Sequence, residues 1–269
     1  MVEAKDSPLI RVRSVSKTFK AGRTLVPAVD DLSIEVGRGE FIALVGPSGC
    51  GKSTLMMMIG GLIGADGGDV TIDGRRVSGP YTDLGIVFQS AELLDWRTSL
   101  SNVLLQIEIR NLPIARYTPV AIDLLKQVGL DGFADKYPHE LSGGMQQRVA
   151  LCRALVHDPE ILLLDEPFGA LDALTRDQMN YDLQRLWLEK RKTAILVTHS
   201  IDEAVWMSDR VLVMTPRPAK IAEEIAIDLP RPRSMEVKTS PRFNAYTGRI
   251  RELFKDMGVF RISETGDGR

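Results

Sequence analysis

The stretch Gly46-Pro47-Ser48-Gly49-Cys50-Gly51-Lys52-Ser53-Thr54 fills every fixed position of the phosphate-binding pattern G-x-x-x-x-G-K-[ST]. That pattern works only at a strand-to-helix turn, so it constrains the fold around it: residues 41–45 read as a buried strand and residues 55–59 as the helix that follows. The glycines let the backbone bend so that successive N–H groups point at phosphate oxygens, and the helix N-terminus adds its partial positive charge. Lys52 is placed to neutralise the β- and γ-phosphates and the Ser53 hydroxyl to ligate Mg²⁺. The loop implies a nucleoside triphosphate site.

A chain of 269 residues buries a core readily and suits one large domain, or one domain with a subdomain and a tail. Its net charge of -2 gives no electrostatic basis for nucleic acid as the main partner. The most apolar stretch, residues 55–65, is broken by Gly60, Gly61 and Gly64 and falls short of the roughly 18 residues a membrane span needs. Residues 1–8 carry Glu3, Lys5 and Asp6 with no apolar centre, which is not a secretory signal, so a cytosolic protein is expected. The two cysteines have no metal-ligand spacing. Cys50 fills a small variable position of the phosphate loop, and Cys152 shares a helical stripe with Met145, Val149 and Val156, as a packed thiol does.

Ile10 and Val12, with the alternation Leu32, Ile34, Val36, predict exposed-edge antiparallel strands, and residues 69–76 a second hairpin-like unit. The continuous apolar runs 161–164 and 194–197 read as strands buried on both faces, as in a parallel sheet covered by helices. Between Gln89 and Pro159 the periodicity turns helical, over 100–109, 120–128 and 145–156, which predicts a helical subdomain inserted into the sheet domain. A helix through Met207, a strand over 210–215 and a turn at Pro216-Arg217-Pro218 follow. A last helix is capped by Ser240, begins at Pro241, stacks Phe243, Tyr246, Ile250, Leu253 and Met257 on one face and stops at Gly258.

Two further segments carry chemistry. The run 161–164 ends in Asp165-Glu166, at the strand end where ligands gather in open α/β sheets. Asp165 is suited to hold Mg²⁺ beside Ser53, and Glu166 to polarise the water that attacks the γ-phosphate. Leu141-Ser142-Gly143-Gly144-Met145-Gln146-Gln147-Arg148 opens a helix with a hydroxyl cap and two residues without side chains, a second anion-binding helix terminus in one chain. One nucleotide does not need two.

At this point the chain resembles the ATP-binding subunits of ABC transporters, for which this segment is the signature, and the resemblance covers residues 10 to about 218. It implies a phosphate-loop NTPase core of α/β class, with a mainly parallel sheet, an N-terminal antiparallel β subdomain and the inserted helical subdomain. The ATPase domain would span residues 8–240, its helical part about 90–159, followed by a C-terminal helix and tail at 241–269. In that family two nucleotide-binding domains pair head to tail, so Ser142, Gly143 and Gly144 of one subunit would meet the γ-phosphate of ATP held by Lys52 of the other. Phe19 falls where the family stacks an aromatic on adenine, often a tyrosine. Gln89 matches the glutamine that reaches Mg²⁺ and the attacking water, Asp172 the loop that crosses the dimer interface, and His199 the switch histidine on the γ-phosphate. Gly169 stands where the family frequently has serine.

The resemblance also implies partners. Two membrane-spanning permease subunits would dock in a groove drawn from residues 89–111, fed by a solute-binding protein, with the ATPase lying peripherally on the cytoplasmic face of the inner membrane. Trp96 and Arg97 in this segment are interface-type residues, although Trp96 equally fits a core position. The phrases Leu94-Asp95-Trp96-Arg97-Thr98, 166–172 and Thr215-Pro216-Arg217-Pro218 look like the nitrate, sulfonate, taurine and bicarbonate importer branch. A soluble ABC ATPase acting on ribosomes or nucleic acid is the alternative, but neither a second nucleotide domain nor an inserted coiled coil is present.

Overall fold

The computed structural model describes residues 7–259. The reading of residues 1–8 as non-secretory and of the tail beyond the last helix falls largely outside them.

Two sheets share the chain. The first is antiparallel, ordered β2-β1-β4-β5, from β1 (Ile10–Ala21), β2 (Thr24–Val36), β4 (Gly67–Ile72) and β5 (Arg75–Arg76). Its β1 is an interior strand: Ile10, Val12 and Val15 are buried, and the strand pairs with β2 on one side and β4 on the other. Only β2 has the edge position expected of both. The second sheet has the order β10-β9-β3-β8-β7-β6. It contains β3 (Phe41–Val45), β6 (Leu84–Val87), β7 (Ile161–Asp165), β8 (Thr193–Thr198), β9 (Arg210–Met214) and β10 (Ile221–Ala226). Five of these strands run parallel, and only β10 is antiparallel to its neighbour.

The apolar runs of the parallel strands have the length they do because each strand feeds two cores, one per face. On β3, Phe41, Ala43 and Val45 enter the core beneath the helices, while Ile42 and Leu44 enter the core shared with α1 (Lys52–Ile59) and the antiparallel sheet. Strands β7 and β8 divide the same way, with Leu162, Leu164, Ala194 and Leu196 on one side and Ile161, Leu163, Ile195 and Val197 on the other.

Between β6 and β7 lie the helices α2 (Ser99–Ile109), α3 (Ile114–Gln127) and α4 (Gly143–Leu155). Thr98 caps α2 by accepting from Ser101 N, and Ser142 caps α4 by accepting from Met145 N at 3.3 Å. Helix α3 starts at Ile114, ahead of the periodic run at 120, and carries Pro119 inside it. Nothing in the periodicity of 173–190 announces α5 (Ala173–Lys190): its buried side includes Asn180, Asp182 and Gln184, which erase the apolar stripe. Helix α6 (Ile201–Met207) and α7 (Pro241–Asp256) complete the set. Ser240 caps α7, accepting from Phe243 N at 3.2 Å, and Phe243, Ile250 and Phe254 bury its inner face, with Tyr246, Leu253 and Met257 packed at the margin.

The segment leading to α7 is pinned by a buried cation. Arg233 is 1% exposed, and its guanidinium donates to the carbonyls of Val205 (3.0 Å), Trp206 (3.0 Å), Ser208 (2.7 Å), Ile227 (3.4 Å) and Leu229 (3.1 and 3.2 Å). Three of these acceptors lie at the C-terminal end of α6, where helix carbonyls lack intrahelical partners. Burial, chiefly, pulls the Arg233 pKa down to about 10, so the group stays charged at neutral pH. Gln184 closes the site, accepting from Arg233 N (2.7 Å) and donating to Arg233 O (2.8 Å), which is why a glutamine is buried in α5. Arg233→Ala is expected to destabilise the protein by about 3 kcal/mol, since several buried acceptors lose their donor at once. Urea unfolding measures it, and a loss below about 1 kcal/mol would mean that water replaces the guanidinium.

Candidate active site

Parallel strands place their C-terminal ends side by side, and the predicted residues arrive at those ends from separate parts of the chain. The phosphate loop leaves β3, Asp165 closes β7 with Glu166 after it, His199 follows β8, and Gln89 lies two residues past β6. Ser48, Gly49, Gly51, Lys52, Ser53, Thr54, Gln89, Glu166 and Arg217 line one open cleft of about 320 Å³, within the size range of ligand sites.

Within the loop, Gly51 takes φ +128°, and a side chain there would come within 2.6 Å of the Ala28 carbonyl. Glycine is therefore required both by conformation and by space. Lys52 is buried and donates Nζ to the carbonyls of Gly46 (2.9 Å) and Pro47 (3.1 Å). Its charge is held inside the loop, where phosphate would arrive. Cys50 is buried, with its N–H donating to Pro47 O at 3.3 Å, and burial raises its thiol pKa against the opposing field of Lys52. It fills a variable position of the loop, and the thiol expected to be packed, Cys152, is buried in α4.

The Ser53 hydroxyl donates to Asp165 Oδ1 at 2.9 Å. Burial, first, and the neighbouring Glu166 charge raise the Asp165 pKa, with the Ser53 bond and Lys52 opposing. A carboxylate whose ionised form is penalised by burial gains from a cation, and a carboxylate with a hydroxyl is the hard oxygen set that Mg²⁺ prefers. The residues therefore fit Mg²⁺.

Glu166 has φ +44°, an uncommon backbone for a residue with a side chain, and its N–H is tied to Val197 O at 2.8 Å. This bend delivers Oε2 to two donors, His199 Nδ1 at 3.1 Å and Gln89 Nε2 at 3.4 Å. Three residues from three strand ends thus converge on one carboxylate oxygen.

Comparison with known proteins gives the family. A family model described as ABC transporter matches residues 29–169. An uncharacterized ABC transporter ATP-binding protein of Methanocaldococcus jannaschii is 47% identical over 247 residues, covering 92% of this chain and 91% of the relative. The chain belongs to the ABC transporter family. It is an ABC ATPase, the ATP-binding and ATP-hydrolysing subunit. An aliphatic sulfonates import ATP-binding protein of Bacillus licheniformis is 40% identical, covering 95% of this chain and 98% of the relative. Among solved structures, a dimeric ATP-binding cassette in a post-hydrolysis state bound to ADP and Pi superposes with a TM-score of 0.73 at 32% identity, over 82% of this chain and 99% of that one.

The remaining predicted residues of this ABC ATPase stay away from the cleft. Ser142, Gly143 and Gly144 open α4, Asp172 caps α5 by accepting from Thr175 N at 3.1 Å, and Phe19 stands 43% exposed on β1; none lines the cleft. Gly144 lies against the loop that bears Asp172, since a side chain on it would touch Thr175 (3.1 Å) and Leu171 (3.6 Å).

Three residues emerge only from the fold. Gln147, buried in α4, donates to Phe88 O at 2.8 Å, linking the signature helix to the residue before Gln89. Glu203 accepts from Thr198 Oγ1, which itself accepts from Ser200 N at 3.0 Å, and so fixes the turn bearing His199. The spacing Ser200-x-x-Glu203 is that of a capping box, a signal for Glu203; the structure uses the Ser200 half, Ser200 Oγ accepting from Glu203 N at 3.3 Å. The third is Arg217, in a segment that reads as a plain turn.

Proposed function

We propose that this ABC ATPase energises an importer of a small anion of the sulfonate or nitrate type, working as a head-to-tail pair in which each ATP is shared between two copies. The observation that carries the pairing is the empty space around Gly143 of the signature segment. A side chain on Gly143 would meet nothing within 4 Å, and its φ lies outside the left-handed region, so neither local space nor backbone conformation calls for glycine. Close approach of an external group does. The dimeric cassettes among the structural relatives support the same reading.

In this reading Lys52 and the loop N–H groups hold the phosphates, Phe19 stacks on adenine, and Ser53 and Asp165, with Gln89, hold Mg²⁺. Bound there, Mg²⁺ would neutralise charge on the β- and γ-phosphates. Glu166 accepts a proton from the attacking water, Gln89 orients that water, and His199 holds the Glu166 carboxylate and faces the γ-phosphate. The partner's Ser142, Gly143 and Gly144 complete the γ-phosphate site, and Asp172 crosses the interface.

An exposed Trp96 on a hydrogen-bonded loop supports docking of permease subunits on residues 89–111. Trp96 is 74% exposed, which sets aside a core role, and its loop is built rather than loose. Asn102 accepts from Leu94 N (2.8 Å) and donates to the carbonyls of Leu94 (3.2 Å), Arg97 (3.0 Å) and Thr98 (3.1 Å), while Arg97 pairs with Glu108 at 2.7 Å. Aromatic and arginine side chains on a preformed surface are typical interface anchors. Among the described residues no helix is long and apolar enough to cross a membrane, so the reading assigns the crossing to the permease and places this chain peripherally on its cytoplasmic face. The importer relatives support the direction of transport and the solute class.

Ser142→Arg tests the shared site. In a hydrolysis-deficient background it is expected to bind MgATP as the parent does and to remain monomeric by light scattering where the parent dimerises. ATP-driven dimerisation at the parental level would refute the shared site.

A further inference from the structure

Five adjacent parallel strands end at the cleft, and the ends of four carry the residues used above. The fifth, β9, leads into Thr215-Pro216-Arg217-Pro218. Arg217 donates Nε and Nη2 to the carbonyl of Gly49, at 3.0 and 2.6 Å, and its side chain lines the same cleft as Lys52. The segment that carries it is anchored. Thr215 N donates to Lys220 O at 2.9 Å and Lys220 N to Thr215 Oγ1 at 3.0 Å, closing the turn. Ala219 is tied into β2, donating to Ala28 O at 2.9 Å and accepting from Asp30 N at 3.2 Å, and it packs where a side chain on Gly51 would stand. The β9 turn is thus a wall of the phosphate loop.

The bonding of Arg217 leaves its charge available. A guanidinium offers several donors in a planar fork that matches phosphate oxygens, and here it satisfies one neutral carbonyl. The residue is exposed at the mouth of a cleft built for a polyanion. We propose that Arg217 is a second cation of the triphosphate site. It steadies the apex of the loop through Gly49 and binds phosphate oxygens of the nucleotide alongside Lys52. The inference rests on the ATP-site reading of this cleft.

Titration calorimetry of purified full-length protein with MgATP tests it, using wild type, R217A, R217Q and R217K, each checked for an unchanged thermal unfolding midpoint. R217A is expected to raise Kd about 10-fold, the effect of losing one charge-assisted hydrogen bond. R217Q keeps a donor for Gly49 but no charge and is expected to lose nearly as much, whereas R217K recovers part of the affinity and part of the salt dependence of binding that R217A loses. Wild-type affinity in R217A would overturn the proposal. Wild-type affinity in R217Q would also overturn it, by reducing Arg217 to a neutral brace on the loop. Failure of the wild type itself to bind MgATP would instead refute the ATP-site reading, so the two failures are distinguishable.

Discussion

Glu166→Gln is expected to bind MgATP with wild-type affinity while its turnover falls at least about 100-fold, the usual contribution of a general base. The substitution changes almost nothing but proton affinity. The side chain keeps its length and retains a carbonyl oxygen able to accept from His199 Nδ1, which now sits 3.1 Å from Oε2. It removes the carboxylate that can take a proton from water. Ser53 and Asp165 remain bonded to each other at 2.9 Å and need no adjustment, so Mg²⁺ and nucleotide affinity should survive. With binding intact and hydrolysis blocked, the proposed ATP-bound pair should accumulate as the stable species. Phosphate release and light scattering on one sample read both effects; turnover within about threefold of wild type would remove Glu166 as the base.

Lys52→Ala is expected to weaken MgATP binding by about 100-fold, more than loss of Arg217. Lys52 is 4% exposed, and a charge so enclosed is poorly screened by water or salt. Its Nζ bonds to the carbonyls of Gly46 and Pro47 orient it along the loop, and a charged hydrogen bond to phosphate contributes on the order of 1.5–3 kcal/mol before longer-range attraction is counted. Calorimetry decides it: a Kd within about threefold of wild type would show that backbone N–H groups alone carry the phosphates.

What could be read beforehand was whatever acts through contiguous backbone. The phosphate loop, the helix opened by Ser142, the strand ending in Asp165 and the cap at Ser240 are each complete within a few residues, and each has the predicted local geometry. Elements whose identity depends on distant partners stayed hidden. Helix α5 buries Gln184 because Arg233, far along the chain, supplies hydrogen bonds that no window of residues 173–190 contains. Strand β10 carries Glu223 and Glu224 and is a strand because β9 offers it an edge.

The candidate site divides the same way. Residue types and spacings alone pointed to a triphosphate loop, a carboxylate proposed to hold the metal and a neighbour proposed as the base, because such chemistry is carried by side-chain type at a strand end. Strand order is non-local, and it alone determined that Gln89, Glu166 and His199 share one carboxylate oxygen. It likewise brought Arg217 to the phosphate loop, turned Trp96 outward and kept Ser142–Gly144 away from the chain's own cleft.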